Sequence, residues 1–399
     1  MFIFSITKIY NENKNMKNRI YLLIALLFFT LRSTSQNIDN ENLKITHGPY
    51  LQNLSAGGVT IIWTTNKPAV PGILLTGTNG EKRFVRNSHD GMIDGGGTLH
   101  KVRVDGLEPG TSYKYSLSSV QVLKYQAYKV YYGDTITRKA ESFTTLLSKA
   151  DKINFLVIND VHENSAKLGS YLRNGKTAEK DFVFFNGDMV DFLQETNQLF
   201  AGFLDTATTY FASIKPFYYI RGNHETRGYM ARELKDYFDF KDDRFYYSFD
   251  NGPVHFIVLD CGEDKPDDNR YYYGLADYDN YRKKELEWLK EEVKSNNFKN
   301  AKFRIVMVHM PIIKEEKQGW GMKFLADNFG PVLQSAGINL MMSAHTHKAA
   351  FYEKDKSGFG YPVLVNSNNE FVEITADLQG IKTVVKDIEG KIINTYSIK

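Results

Sequence analysis

The chain has 399 residues, 42% hydrophobic and 24% charged, with a formal net charge of only +3. This is an ordinary globular composition, long enough for two domains, and no lysine or arginine run forms a nucleic-acid stripe. Cys261 is the only cysteine, so an intramolecular disulfide is excluded and stability must rest on packed cores and on any bound metal. No repeats or low-complexity tracts occur.

At the N-terminus, Met16-Lys-Asn-Arg19 is positive, Ile20 to Leu31 is apolar, and Ser33-Thr-Ser35 offers small residues for cleavage before Gln36. That succession predicts a signal peptide over residues 1–36, with Met16 as an alternative start. The apolar run is shorter than the roughly 20 residues of a comfortable bilayer span. No cysteine follows it to take a lipid. The expectation is an exported protein (periplasmic, cell-surface or secreted) with no stable membrane span once the signal is removed.

Residues 42–147 read as an all-β unit. Val59-Thr-Ile-Ile-Trp-Thr-Thr65 alternates like a sandwich strand with Trp63 as a core plug, and His100-Lys-Val-Arg-Val104 alternates likewise. Leu107-Glu-Pro-Gly-Thr-Ser-Tyr113 is a turn into a strand, with Tyr113 placed for a tyrosine corner. These features resemble a fibronectin type III or immunoglobulin-like sandwich. With His47-Gly-Pro-Tyr-Leu-Gln52 at its start, the unit resembles the N-terminal domain of purple acid phosphatases. Gly91 to Gly97 lacks the lysine and the strand-to-helix context of a phosphate cradle. His47, His89, His100 and His255 are read as packing or surface residues.

From residue 150 onward five hydrophobic runs each end in polar residues of metal-ligand type. Ile153–Ile158 leads to Asp160-Val-His162, and Phe182–Phe185 leads to Gly187-Asp188-Met-Val-Asp191. Pro216–Ile220 leads to Gly222-Asn223-His224-Glu225, Phe303–Val308 to His309, and Ile338–Met342 to His345-Thr-His347. Short β-branched or aromatic runs read as buried strands, and residues just beyond them lie where open α/β sheets bind ligands. A single His or Asp there is commonly a turn residue. Five together, rich in imidazole and carboxylate and free of sulfur, suit Zn, Mn or Fe. Further on, Tyr281 to Lys294 has helical spacing. Tyr271-Tyr-Tyr273 beside Asp264 to Asp268 is a polar, aromatic loop that either rims the site or packs on the surface. The tail reads as strands over Phe371–Thr375, Ile381–Val385 and Ile392–Ile398.

In that order the five clusters resemble the calcineurin-like metallophosphoesterase superfamily. The resemblance implies an α/β domain over 150–399, a four-layer β-sandwich flanked by helices. It implies that Asp160, His162, Asp188 and His347 hold one metal, with Asp188 bridging to a second held by Asn223, His309 and His345. His224 is then no ligand but a catalytic histidine facing the leaving group, oriented by Asp191. Two departures stand out. Asp191 occupies the position where purple acid phosphatases carry a tyrosine, and His162 has no ligand counterpart in them, so a colourless centre is expected. Ala344 replaces the usual glycine before His-x-His.

The chemistry asks for these residue types. Two cations roughly 3.5–4 Å apart clamp a phosphoryl group, and a metal lowers the pKa of bound water, for zinc towards about 7. An unperturbed histidine pKa of about 6.5 suits His224 to general-acid work. Glu225 is read as a brace, and Arg221 and Arg227 as scaffold or solvent-facing residues, with phosphate contact as their alternative role. The expected function is hydrolysis of phosphate monoesters by a metal-bound hydroxide, with two Fe, Mn or Zn ions as cofactors and a small phosphate ester as partner. A phosphodiesterase or nucleotidase is the alternative with the same site. A non-catalytic surface binding protein with structural metals is the alternative of another class.

Overall fold

A computed structural model describes residues 42–399. The expected signal segment, with Met16, lies outside the described residues. Residues Leu43–Lys399 form one compact unit.

The N-terminal strands are β1 (Ile45–Gln52), β2 (Gly58–Thr76), β3 (Lys82–Val85), the short ribbon β4 (Ser88–His89) and β5 (Met92–Ile93), β6 (Gly97–Asp105), β7 (Ser112–Gln126) and β8 (Lys129–Thr144). β2 is 19 residues long and serves two leaves. Its first half pairs with β1 and β6, and its second half with β3 and β7, which in turn pairs with β8. Trp63, Val59, Ile61, Val102, Ile73, Leu75 and Phe143 from both leaves share one buried cluster, as the alternation requires. The Tyr113 hydroxyl accepts the Glu108 amide at 2.9 Å, which is the tyrosine corner.

Two six-stranded sheets follow. The first has the order β11-β10-β9-β18-β19-β20, built from β9 (Lys152–Ile158), β10 (Phe182–Asn186), β11 (Phe217–Ile220), β18 (Glu370–Asp377), β19 (Gly380–Asp387) and β20 (Ile392–Ile398). The second has the order β12-β13-β14-β15-β17-β16, from β12 (Tyr247–Asn251), β13 (Val254–Val258), β14 (Phe303–Met307), β15 (Leu340–Ser343), β16 (Ala350–Tyr352) and β17 (Val363–Val365). β9, β10 and β11 are mutually parallel, as are β13, β14, β15 and β17. The five strands predicted to precede the polar clusters are β9, β10, β11, β14 and β15. The three tail strands also form, completing the edge of the first sheet.

The sheets face each other through aromatic packing, with Phe155 and Phe182 of the first against Phe256 of the second at 5.4 and 5.9 Å between centroids. Leu168, Tyr171 and Leu172 of α1 (Ser165–Asn174) join this core. A second core packs α2 (Tyr278–Glu292) and α3 (Trp320–Ala336) on the other sheet through Leu286, Leu289, Leu325, Phe329 and Leu333. The order is helix, sheet, sheet, helix, an α/β architecture behind a β-rich N-terminal region. α2 starts three residues before the expected Tyr281, because the carboxylate of Asp267 caps it, accepting the amides of Tyr278 and Asp279 at 2.9 and 3.0 Å.

The expected boundary between 42–147 and 150–399 falls between β8 and β9. Contacts cross it: Tyr50 and Ile62 belong to the core of the facing sheets. The Tyr50 hydroxyl donates to the Tyr237 carbonyl at 2.7 Å, and Gln52 donates to the Phe217 carbonyl at 2.9 Å.

Candidate metal centre

All five polar clusters lie at the carboxyl ends of parallel strands, and main-chain contacts stitch their loops together. The Asp160 amide donates to the Gly187 carbonyl at 3.0 Å, and the His162 amide to the Asp188 carbonyl at 3.1 Å. The His224 amide donates to Asp188 Oδ1 at 3.0 Å and the Ala344 amide to the His309 carbonyl at 2.8 Å. The His345 amide reaches Asp160 Oδ2 at 3.3 Å, joining the two sheets across the site. Ala344 keeps an ordinary negative φ, so its methyl group does not disturb the loop.

The predicted ligands fall into neighbouring groups whose ligand atoms lie within 4.8 Å of one another. One group is Asp160, His162 and His347; another is Asp188, His309 and His345. Asn223 joins the second, with its Oδ1 3.0 Å from His345 Nδ1. A third group, His162, Asp191 and His224, overlaps the first at His162.

Five of the seven predicted ligands, Asp160, His162, Asp188, His345 and His347, have φ between +48° and +69°. For residues with a Cβ the left-handed region costs about 1–2 kcal/mol each. Strain persists where surrounding structure over-determines it, and it concentrates at functional sites. Glycines make the close approach possible. Gly187 lies at φ +84°, and a Cβ there would collide with the His309 ring; one at Gly222 would collide with Asp188. Buried Glu225 acts as the brace, its carboxylate accepting the amides of Asp188 (3.0 Å), Met189 (2.7 Å) and Gly222 (2.8 Å).

The donor set fits cations. Asp160 Oδ1 and His309 Nε2 are buried with no hydrogen-bond partner, although each has an opposite group at ion-pair distance. Such orphaned atoms are rare unless an ion or water serves them. Burial opposes charge on Asp188, but the contact with His309 at 3.0 Å outweighs it and holds the carboxyl well below the usual range. The same pairing overcomes burial at His309 and pushes it up to about 10. Burial, helped by the His309 charge, pushes His345 down to about 4. Asp160 is lowered as well, since contact with His347 prevails over burial. A buried site that draws a proton onto one imidazole so strongly is short of positive charge. His309 Nδ1 lies 2.8 Å from the Asn186 carbonyl, which directs its N–H there and leaves Nε2 turned to the site.

The structure corrects the expected partner of Asp191. Its carboxylate meets His162 Nδ1 at 2.8 Å, not His224. Only its main-chain carbonyl reaches His224, at 2.8 Å from Nδ1. The side chain therefore orients a predicted ligand, in the carboxylate–histidine manner of metal sites.

Arg227, read from the sequence as scaffold or as a phosphate contact, also touches His224. Its Nη1 lies 3.1 Å from His224 Nε2, while Nδ1 of the same ring faces the Asp191 carbonyl. The rest of the guanidinium is clamped by Glu263 at 3.0 and 2.9 Å. Loop 260–264 is in turn held by α2, where buried Arg282 donates to the carbonyls of Cys261 and Glu263 and Glu285 accepts the Asp260 amide at 2.7 Å. The available signal was position: Arg227 follows His224 by three residues, the reach of the 3₁₀ turn His224–Thr226. Arg221 is scaffold, buried and paired with Asp260. His100 is buried against Thr65, and His47 stacks on Phe200 at 4.0 Å. A groove of about 930 Å³ beside Tyr247 and His255 touches none of the predicted ligands.

Comparison with known proteins agrees with this geometry. The model of the calcineurin-like phosphoesterase family matches residues 153–349. A purple acid phosphatase from yellow lupin (Lupinus luteus) seeds has a TM-score of 0.65 at 14% identity, over 88% of this chain and 73% of the lupin chain. The structure of PhoD has a TM-score of 0.58 at 13% identity, over 89% of this chain and 90% of that one. Identities this low speak for a shared fold alone. No curated protein sequence matches the chain.

Proposed function

Given a chain that belongs to the calcineurin-like phosphoesterase superfamily, we propose an exported phosphate-monoester hydrolase with a binuclear metal centre. Asp160, His162 and His347 hold one ion, Asn223, His309 and His345 the other, and Asp188 serves both. Fe, Mn or Zn there would neutralise phosphoryl charge and activate water as the nucleophile. The observation that carries this reading is the convergence of two nitrogen–oxygen ligand groups, with buried orphaned atoms in both, on strained loops at one edge of two sheets.

The protein's own residues divide the remaining work. Glu225 and Gly187 fix the Asp188 loop, and Asp191 fixes the tautomer of His162. His224 stands at the free edge, its Nε2 4.0 Å from Asp188 Oδ2, held by Asp191 and Arg227. To protonate a leaving oxygen from Nε2, it must give up the arginine contact and take a proton. A phosphoryl group entering between them would offer Arg227 a better acceptor and free Nε2, which would take from solvent the proton it passes to the leaving oxygen.

The test is metal-dependent release of phosphate. With added Mn, Zn or Fe the purified protein should hydrolyse an aryl phosphate, chelation should abolish turnover, and the loaded protein should show no visible charge-transfer band. If no metal supports cleavage of a monoester or a diester, the metals are structural and the binding reading stands. A visible band would overturn the role given to Asp191 in place of tyrosine.

A further inference from the structure

Arg227 has two sides. One faces His224; the other forms part of the wall of a cavity of about 750 Å³ that also takes in Phe245, Tyr271, Tyr272, Leu275 and Tyr278. His224 and the predicted ligands do not line the cavity; Arg227, which touches both the cavity and His224 Nε2, joins it to the imidazole edge where a leaving group would depart. We infer that this cavity is the leaving-group subsite, and that the alcohol part of the substrate is a ring system of up to nucleoside size and not a small alkyl group. The inference rests on the phosphoesterase reading and deepens it.

Three observations carry it. The first is size: pockets of about 300–1,000 Å³ enclose drug-sized ligands, so this one has room for a nucleoside and far more than a methyl or glyceryl group needs. The second is surface chemistry. Tyr271, Tyr273 and Leu275 are 62%, 88% and 75% exposed at the rim, with Arg270 over one face of Tyr271, and exposed aromatic and apolar groups beside a cleft favour a partner that covers them. The third is charge. Arg227, Arg232, Lys235 and Lys265 line the cavity; Arg227 is paired with Glu263, Lys235 with Asp243 and Lys265 with Asp264, and Arg232 adds a further guanidinium. Guanidinium groups in the wall can seat an electron-rich ring. The rim loop is held from behind: Asn269 accepts the Tyr271 amide at 3.1 Å, and Asp267 anchors the loop to the start of α2.

The experiment compares kcat/KM for phenyl phosphate with that for ethyl phosphate in the full-length, metal-loaded protein. Two variants are used: Tyr271→Ala combined with Leu275→Ala, which strips the rim, and Ala276→Trp, which fills the cavity. Both change partly exposed side chains, and circular dichroism checks their folding. The phenyl-to-ethyl ratio should fall about tenfold in each, chiefly through KM for the aryl ester. Ligand-observed NMR should show adenosine binding to the wild-type chain and not to Ala276→Trp. An unchanged ratio together with adenosine binding that survives the filling variant would overturn the subsite. If the wild-type protein cleaves no ester with any metal, the phosphoesterase reading fails; the NMR arm still decides whether the cavity takes a ring.

Discussion

At the scale of single residues, the site separates groups that hold from groups that act. Asp191 reaches the chemistry through His162, whereas the partly exposed His224 ring hydrogen-bonds a main-chain carbonyl and Arg227. Removing the partner of a ligand histidine typically costs 10–100-fold in metal affinity. Asp191→Ala should therefore weaken binding of one ion by about that factor in calorimetric titration. His224→Asn should leave metal stoichiometry intact while lowering kcat by about 10²–10⁴, least for esters with good leaving groups. Loss of an ion in His224→Asn would overturn its placement outside the ligand set. Residue types and their order were legible in the sequence, because metal chemistry restricts the choice to imidazole, carboxylate and amide. The side-chain partner of Asp191 was not, since it depends on left-handed backbone at Asp160 and His162 that no residue type announces.

Among the elements, strands were the most legible. β9, β10, β11, β14 and β15 are buried on both faces and so read as continuous hydrophobic runs. Helix ends were less so, as the remote cap of α2 by Asp267 shows. His255 offers a test of how β13 is tied to its neighbours. Its ring is buried between Asp250 on β12, at 2.7 Å, and Glu292 at the end of α2, at 3.2 Å. Burial pushes His255 down, but the two carboxylate contacts push it up and prevail, while Asp250 and Glu292 are both lowered, first by their contact with His255. A raised histidine contributes stability that is complete below its unfolded value of about 6.5 and is lost as pH rises through the folded one. Lowered carboxylates contribute above about pH 4 and lose it in acid. The ion cluster should thus stabilise most near pH 5–6. Replacing His255 by Gln should destabilise by about 1 kcal/mol there, discounted for the exposure of Asp250, and by less at pH 9. Urea melts at the two pH values check this; an equal loss at both would leave His255 a packing residue only.

For the whole molecule, the question is what bound metal would add to a chain with a single cysteine and so no internal disulfide. A ligand present at 100 times its dissociation constant stabilises by about 2.7 kcal/mol, and in a protein this large each kcal/mol shifts Tm by roughly 2 °C. Saturating the centre with Mn or Zn should raise Tm by about 5 °C or more, reversed by chelator; a Tm indifferent to metal would argue against a centre buried between two sheets. The two-sheet domain was legible through its site. Its union with the N-terminal strands was not, because the alternation that marks β2 does not show that Tyr50 and Ile62 would lie in the other core.

The strand that carries Asp160 has a further consequence. β9 is paired on one side by β10, but on the other by β18, near the end of the chain, with Val157 opposite Val372. Non-local pairing of this kind forms late. On a ribosome, β9 has no second neighbour until β18 has been made, so a nascent chain that stops short of it presents no finished pocket to a passing ion. Metal is captured only where folding finishes. Because protein sites rank divalent ions by a common affinity order, availability at that place does much to decide which one is kept. If the chain is threaded across a membrane before it folds, the metal it carries will be drawn from the compartment it enters, not from the one in which it was translated.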